Sequence, residues 1–244
     1  MVLKDRGLPI VDFHWFLDRE WYRDKDVIIE EIEKLGYPLI VKPANLGSSV
    51  GISKAANRDE LITAIELASS FSQRLLAEKM VKDLKEINCS VIGYSTNLEA
   101  SVCEEPLKSD DILSYKDKYL SDSSSSKGMS GTKRKIPADL PPEMSDQIQQ
   151  LAKDTFRILG CAGVSRIDFL VDNDTDEVFV NEINTIPGSL SFYLWEPSNK
   201  AFSLMLEELV DQAFKRRRET GNLVTSFDSN IFQMNIDSSK LGEG

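Results

Sequence analysis

Arg166, Asp168, Glu182 and Asn184 place one cation, two carboxylates and an amide in two short runs of alternating polar and apolar residues. In Val164–Val171 a period of two turns Arg166 and Asp168 to one face and Ile167, Phe169 and Val171 to the other, so one face is chemical and the other is core. Asp172–Asp176 reads as a polar turn, and Val178–Asn184 as the returning strand with Glu182 and Asn184 on a shared face. The predicted hairpin sets Asp168 beside Glu182. Two carboxylates and an amide oxygen suit a hard divalent ion. Mg²⁺ takes one or two carboxylates and leaves the rest of its octahedron to phosphates and water, and Mn²⁺ accepts the same ligands. The chemistry indicated is that of a phosphate-bearing nucleotide, against the alternative of a surface hairpin whose acids are merely solvated. The turn also imitates a calcium loop through Asp172, Asp174 and Asp176. Glu177 stands where that loop needs glycine and Ile183 where it needs a bidentate acid, which excludes calcium.

The segments that must position these residues follow from the same periodicities. Pro38–Lys42 predicts a buried strand that delivers Lys42 to its end. The loop Pro43–Gly51 follows, and its Gly-Ser-Ser-x-Gly run can wrap phosphate oxygens with backbone N–H groups and hydroxyls. A glycine-rich turn without a ligand is the alternative, since neither the G-x-x-x-x-G-K-[ST] loop nor the G-x-G-x-x-G fingerprint is present. Asn57 and Glu60 make a helix start, with Leu61, Ala64, Ile65 and Ala68 as the apolar stripe. Leu75–Met80 predicts a strand, and Glu86–Gly93 another, with Ile87, Cys89 and Val91 alternating against Glu86, Asn88 and Ser90. Ser121–Gly131 is polar and of low complexity, which predicts a mobile loop of the kind that closes over sites. Pro141-Pro142-Glu143 opens a helix to about Leu159. Phe202, Leu206, Leu209, Val210 and Phe214 form a helical pattern closed by Lys215–Arg218, where cations complement the macrodipole. From Gly221 onward the chain is sparsely apolar. There is no internal repeat.

With 244 residues, 41% of them hydrophobic, the chain can bury a sizeable core as one large domain or two lobes. A formal net charge of −11 argues against a nonspecific nucleic-acid or anionic-membrane surface. Cys89, Cys103 and Cys161 are odd in number and widely spaced, so neither a disulfide framework nor a zinc site is expected, and a reduced, cytoplasmic setting is the default. No apolar run reaches the roughly 18 residues of a membrane span. His14 is the only histidine and has no partner, so packing or surface placement is expected rather than a catalytic base.

Val41–Gly51, Glu78–Val81 with Glu86, Lys118–Tyr119, Arg166–Asp168 and Asn181–Gly188, taken in this order, resemble the D-alanine–D-alanine ligases of the ATP-grasp superfamily over roughly Gly7 to Arg218. The resemblance implies an α+β ATP-grasp fold in which two subdomains sandwich ATP between antiparallel sheets. The expected divisions are a central subdomain over 1–83, a carboxyl-terminal subdomain with the metal site over 84–220, and a tail over 221–244. It implies an ATP- and Mg²⁺-dependent ligase whose first amino acid attacks the γ-phosphate to give an acyl phosphate, which the second amino acid's amine then attacks. On this reading Lys42, Ser49 and Lys118 meet phosphate, Glu78, Lys79 and Val81 form the adenine hinge, and Glu86 binds ribose, one residue further from the hinge than the family pattern. Asp168, Glu182 and Asn184 are the metal ligands, and Arg166 and the Gly188 N–H stabilise the oxyanion. Ser48 helps hold the first substrate's ammonium end and Tyr119 seals the site. Amino acids are the expected small-molecule partners, with neither nucleic acid nor membrane, and a homodimer is compatible with the resemblance.

Two departures stand out. The sequence opens near the family's Gly-Leu-Pro (Gly7, Leu8, Pro9), so the amino-terminal domain that supplies a substrate-gripping acid and a further nucleotide-binding lysine lies outside it. The chain is then either part of a longer ligase or a truncated paralogue that borrows those groups from a partner chain. In Ser189–Trp195, Leu190 and Tyr193 stand where the family's second-substrate segment carries Thr and Ser. These residues reshape the acceptor pocket or serve as core packing after the site.

Overall fold

In a computed structural model, which describes residues 1–46, 50–107, 134–221 and 223, the strands form two antiparallel sheets. After α1 (Val2–Asp5), the first sheet combines β1 (Phe13–Leu17), β2 (Leu39–Pro43), β3 (Ser53–Ala55) and β4 (Arg74–Lys79) in the order β1-β4-β2-β3. Its apolar face carries Phe16, Leu39, Val41, Leu75 and Ala77. They pack on α2 (Asp18–Arg23), α3 (Lys25–Glu33) and α4 (Arg58–Ser69) through Trp21, Ile28, Ile32, Leu61 and Ile65. The start of α4 is as the sequence predicts: Asn57 Oδ1 accepts the Glu60 N–H at 3.0 Å, while Glu60 reaches back to accept the Ala56 N–H at 2.8 Å. Leu61, Ala64, Ile65 and Ala68 are all buried.

The second sheet holds β5 (Leu84–Tyr94), β6 (Asn97–Pro106), β7 (Arg134–Lys135), β8 (Gly163–Asp172) and β9 (Glu177–Asn184) in the order β7-β6-β5-β8-β9. Ile87, Cys89, Ile167, Phe169, Val171, Val178 and Val180 face α5 (Pro142–Ile158), which contributes Ile148, Ala152 and Phe156. Residues ahead of β1 join this second core: Leu3, Leu8 and Ile10 pack on it, and the Val180 N–H donates to the Pro9 carbonyl at 2.8 Å. The opening segment therefore sits with the unit expected over 84–220 rather than with 1–83.

β5 departs from simple alternation. Asn88 and Ser90 are buried as well as Ile87, Cys89 and Val91. The reason is a second cover: the 3₁₀ segment Gly188–Leu194, Trp195 and α6 (Phe202–Thr220) close the other face, where the Trp195 Nε1–H donates to Ser90 Oγ at 3.2 Å. On α6 only Met205 is fully buried and Leu209 packs partly against it, while Leu206, Val210 and Phe214 remain exposed. The apolar stripe on this helix is wider than its contact with the sheet.

Candidate nucleotide and metal site

Cross-strand register assembles the site. Glu104 of β6 pairs with Asn88 of β5, Asn88 with Asp168 of β8, and Asp168 with Glu182 of β9, giving an unbroken polar row across the four strands. Beside it, Ser90 pairs with Arg166 and Arg166 with Asn184. A bulge in β9 makes this arrangement possible. Phe169 pairs with Val180 but Asp168 pairs with Glu182, so Asn181 is an extra residue. With strict alternation, Glu182 would share the core face of Val178 and Val180. The inserted residue switches the face and turns Glu182 and Asn184 to the side of Asp168.

Arg166 grips Asp168 with two bonds, Nε to Oδ1 at 2.6 Å and an Nη2 donor to Oδ2 at 2.8 Å. Burial raises the Asp168 pKa against the lowering pull of Arg166, and the bond to Asp168 raises that of Arg166 over the opposing effect of burial. Asn184 Nδ2 donates to Asp168 Oδ2 at 3.1 Å and to Glu182 Oε1 at 3.2 Å. An electropositive N–H₂ group thus occupies the point where two carboxylates converge, which is where a divalent cation fits. A half-turn of the amide would offer its oxygen instead. No group of three or more His, Cys, Asp or Glu with metal-holding geometry occurs among the described residues, so two acids plus an amide is the relevant donor set.

Lys42 lies across the gap, on the face of the first sheet turned away from its helices. Its Nζ is 2.6 Å from Glu78 Oε2 and donates to Oδ1 of the bulge residue Asn181 at 3.3 Å. Glu78 is buried, Lys79 is exposed and Val81 half-buried just beyond β4, with the Lys79 N–H engaged by the Asp12 carbonyl at 2.9 Å. Glu86 is half-buried on the Asn88 face of β5, paired with Leu170. Gly188 opens the 3₁₀ segment after β9. Ser48, Ser49, Lys118, Tyr119 and the Ser121–Gly131 run lie outside the described residues, as does nearly all of the 221–244 tail.

Glu104 joins the row without a local signal in the sequence. It is 3% exposed, and its Oε2 accepts from Asn88 Nδ2 at 3.3 Å and from the Tyr193 hydroxyl at 3.1 Å, while Arg134 approaches Oε1 at 3.4 Å and stacks on the Tyr193 ring at 4.6 Å. Burial, then Glu104, raises the Tyr193 pKa. Three consecutive residues, Ser189, Leu190 and Ser191, have φ near +52° to +53°, a left-handed turn that costs on the order of 1–2 kcal/mol per residue. It sends Tyr193 to the polar row and Leu194 and Trp195 into the core. A recess of about 630 Å³ lined by Tyr94, Glu208, Phe214 and Lys215 shares no residue with the row.

Residues 2–215 match the family model described as the D-ala D-ala ligase C-terminus. The chain belongs to the D-alanine–D-alanine ligase family. It is 37% identical over 237 residues to a D-alanine–D-alanine ligase of Thermosipho africanus, covering 97% of this chain and 62% of the relative. It is 40% identical over 231 residues to that of Natranaerobius thermophilus, covering 93% and 60%. The chain thus spans about three-fifths of the length of these curated relatives. Among solved structures, it resembles the D-alanine–D-alanine ligase of Coxiella burnetii with a TM-score of 0.71 and 28% identity, covering 90% of this chain and 56% of that one. It resembles the VanG D-Ala:D-Ser ligase of Enterococcus faecalis with a TM-score of 0.71 and 28% identity, covering 86% and 59%. Both likenesses accord with the α+β, two-sheet ATP-grasp architecture of this ligase family.

Proposed function

We propose that this chain is the nucleotide- and metal-holding part of an ADP-forming carboxylate–amine ligase that joins two D-alanines for peptidoglycan precursors. The observation that carries this reading is the convergence of Asp168, Glu182 and Asn184 beside Arg166, with Lys42 bonded to Asn181, the residue before Glu182. Asp168, Glu182 and Asn184 would hold Mg²⁺, which when bound neutralises phosphate charge during phosphoryl transfer. Lys42, with Ser49 and Lys118 from the family pattern, positions the phosphates. Glu78, Lys79 and Val81 line the adenine, and Glu86 takes the ribose. A carboxylate oxygen of the first D-alanine attacks the γ-phosphorus and ADP leaves. The second D-alanine's amine nitrogen then attacks the acyl carbon, loses a proton, and inorganic phosphate departs. Arg166 and the Gly188 N–H receive the oxyanion, while Ser48 orients the donor and Tyr119 excludes water from the acyl phosphate.

A different acceptor is the second reading, favoured by Tyr193 and Leu190 in the segment after Gly188 and by the likeness to a D-Ala:D-Ser ligase. ADP release, measured on the chain joined to the family's amino-terminal domain with D-alanine, D-serine and D-lactate as acceptors, separates the two. Release with D-alanine alone supports the first reading, and a preference for either other acceptor supports the second. Mg²⁺-dependent ATP binding with no ADP release even when the family's amino-terminal domain is supplied overturns both and leaves a nucleotide-binding module.

A further inference from the structure

Cys89 and Cys103 are far apart in sequence, yet they are direct register partners on β5 and β6, and both are free thiols. Opposed antiparallel positions hold their Cα atoms about 4.5–5.5 Å apart. That lies inside the roughly 4.4–6.8 Å that a disulfide spans. The two side chains are 0% and 4% exposed, on the core face beneath α5. Cys89 Sγ donates to the Ser101 carbonyl at 3.6 Å, which turns it toward the strand of Cys103, and to the Ser90 carbonyl at 3.7 Å. The thiol–thiol hydrogen bond and burial push the Cys89 pKa up, while the same bond draws that of Cys103 down against the raising effect of burial, and Cys103 is also the less buried of the two. The register shift just beyond Cys89 supplies local slack for the sulfurs to close. Each cysteine also adjoins a member of the polar row on the opposite face, Cys89 next to Asn88 and Cys103 next to Glu104.

We propose that Cys89 and Cys103 form a redox-sensitive dithiol that a small, uncharged peroxide closes into a cross-strand disulfide, coupling oxidation to the Asn88–Glu104 end of the polar row. The sulfur of Cys103 attacks one oxygen of hydrogen peroxide, the O–O bond breaks, and the departing oxygen leaves as water with the thiol proton. The resulting sulfenic acid is attacked by the Cys89 sulfur, and its hydroxyl leaves as a second water with the Cys89 proton. Two thiols lose two electrons and two protons, and one peroxide becomes two waters. Burial selects the oxidant by size and charge, since the pair is reached only through local opening of β6. Cys161 lies on neither of these strands and serves as an internal control.

The test is peptide mass spectrometry of the native chain after hydrogen peroxide treatment, with amide exchange followed on the same samples. The expected result is an intact mass lower by two hydrogens and a Cys89–Cys103 cross-linked peptide. The link is reversed by dithiothreitol and absent in Cys103→Ala, while Cys161 stays alkylatable and exchange at Asn88 and Glu104 changes. The disulfide is overturned if both cysteines of the peroxide-treated wild-type chain remain alkylatable after denaturation, or if either pairs with Cys161. A disulfide that leaves exchange at Asn88 and Glu104 unchanged overturns the coupling.

Discussion

Asp168 is a half-buried carboxylate whose oxygens are shared between a guanidinium and an amide, so its charge matters more than its shape. Asp168→Asn keeps the volume and removes the charge. We expect Mg²⁺-dependent nucleotide affinity to fall by at least about tenfold with an unchanged far-ultraviolet dichroism spectrum, as for removal of one partner of a desolvated charge pair. Equal loss of fold and binding would assign Asp168 to structure instead. His14 gives a separate pH signature. It lies on the strand beside Phe16, and burial lowers its pKa over the raising pull of Glu31 and Glu20. The folded state therefore binds fewer protons than the unfolded one below the ordinary value of about 6.5, and stability falls as pH drops from there through the lowered folded pKa. Urea denaturation across that window is expected to show a steeper loss in the parent than in His14→Gln. The acids of the hairpin were legible in the sequence because Arg166 and Asp168 alternate with Ile167 and Phe169. Glu104 was not, because its role arises only from its register with Asn88 and its contact with Tyr193.

Elements were legible where one local signal dominates. Asn57 and Glu60 start α4 and Pro142 opens α5, as capping chemistry requires. The bulge at Asn181 was not, since nothing in Val178–Asn184 marks an extra residue, and only the demand that valines and site acids face opposite ways reveals it. Burial on both faces of β5 likewise depends on the distant Trp195 and α6. The β5–β6 turn carries a sharper constraint. Gly93 has φ +153° and a Cβ there would lie 2.1 Å from the Asn97 carbonyl oxygen. Gly93→Ala is expected to destabilise the chain by about 1–3 kcal/mol, read as a lower urea midpoint at unchanged slope. An unchanged midpoint would show that this turn yields freely.

At the scale of the whole molecule, two sheets with separate cores meet where Lys42 reaches Asn181, the residue next to Glu182 of the polar row. Composition left one large domain or two lobes open, and only the family resemblance implied two facing sheets. Its boundary at 83 did not capture the packing of Leu3, Leu8 and Ile10 on the second core, because those short apolar stretches carry no signal of which sheet they join. A ligand bound at this junction by the folded state alone raises stability, by about 2.7 kcal/mol at a hundredfold excess over its Kd. Thermal unfolding with ADP and Mg²⁺ together is therefore expected to occur at a higher temperature than with either alone. The most direct test is calorimetric titration of the chain with a nonhydrolysable ATP analogue, with and without Mg²⁺. Saturable binding that strengthens with Mg²⁺ and loses that dependence in Asp168→Asn is the predicted result. Binding indifferent to Mg²⁺, or none by a folded sample, would contradict a nucleotide and metal site built on this row.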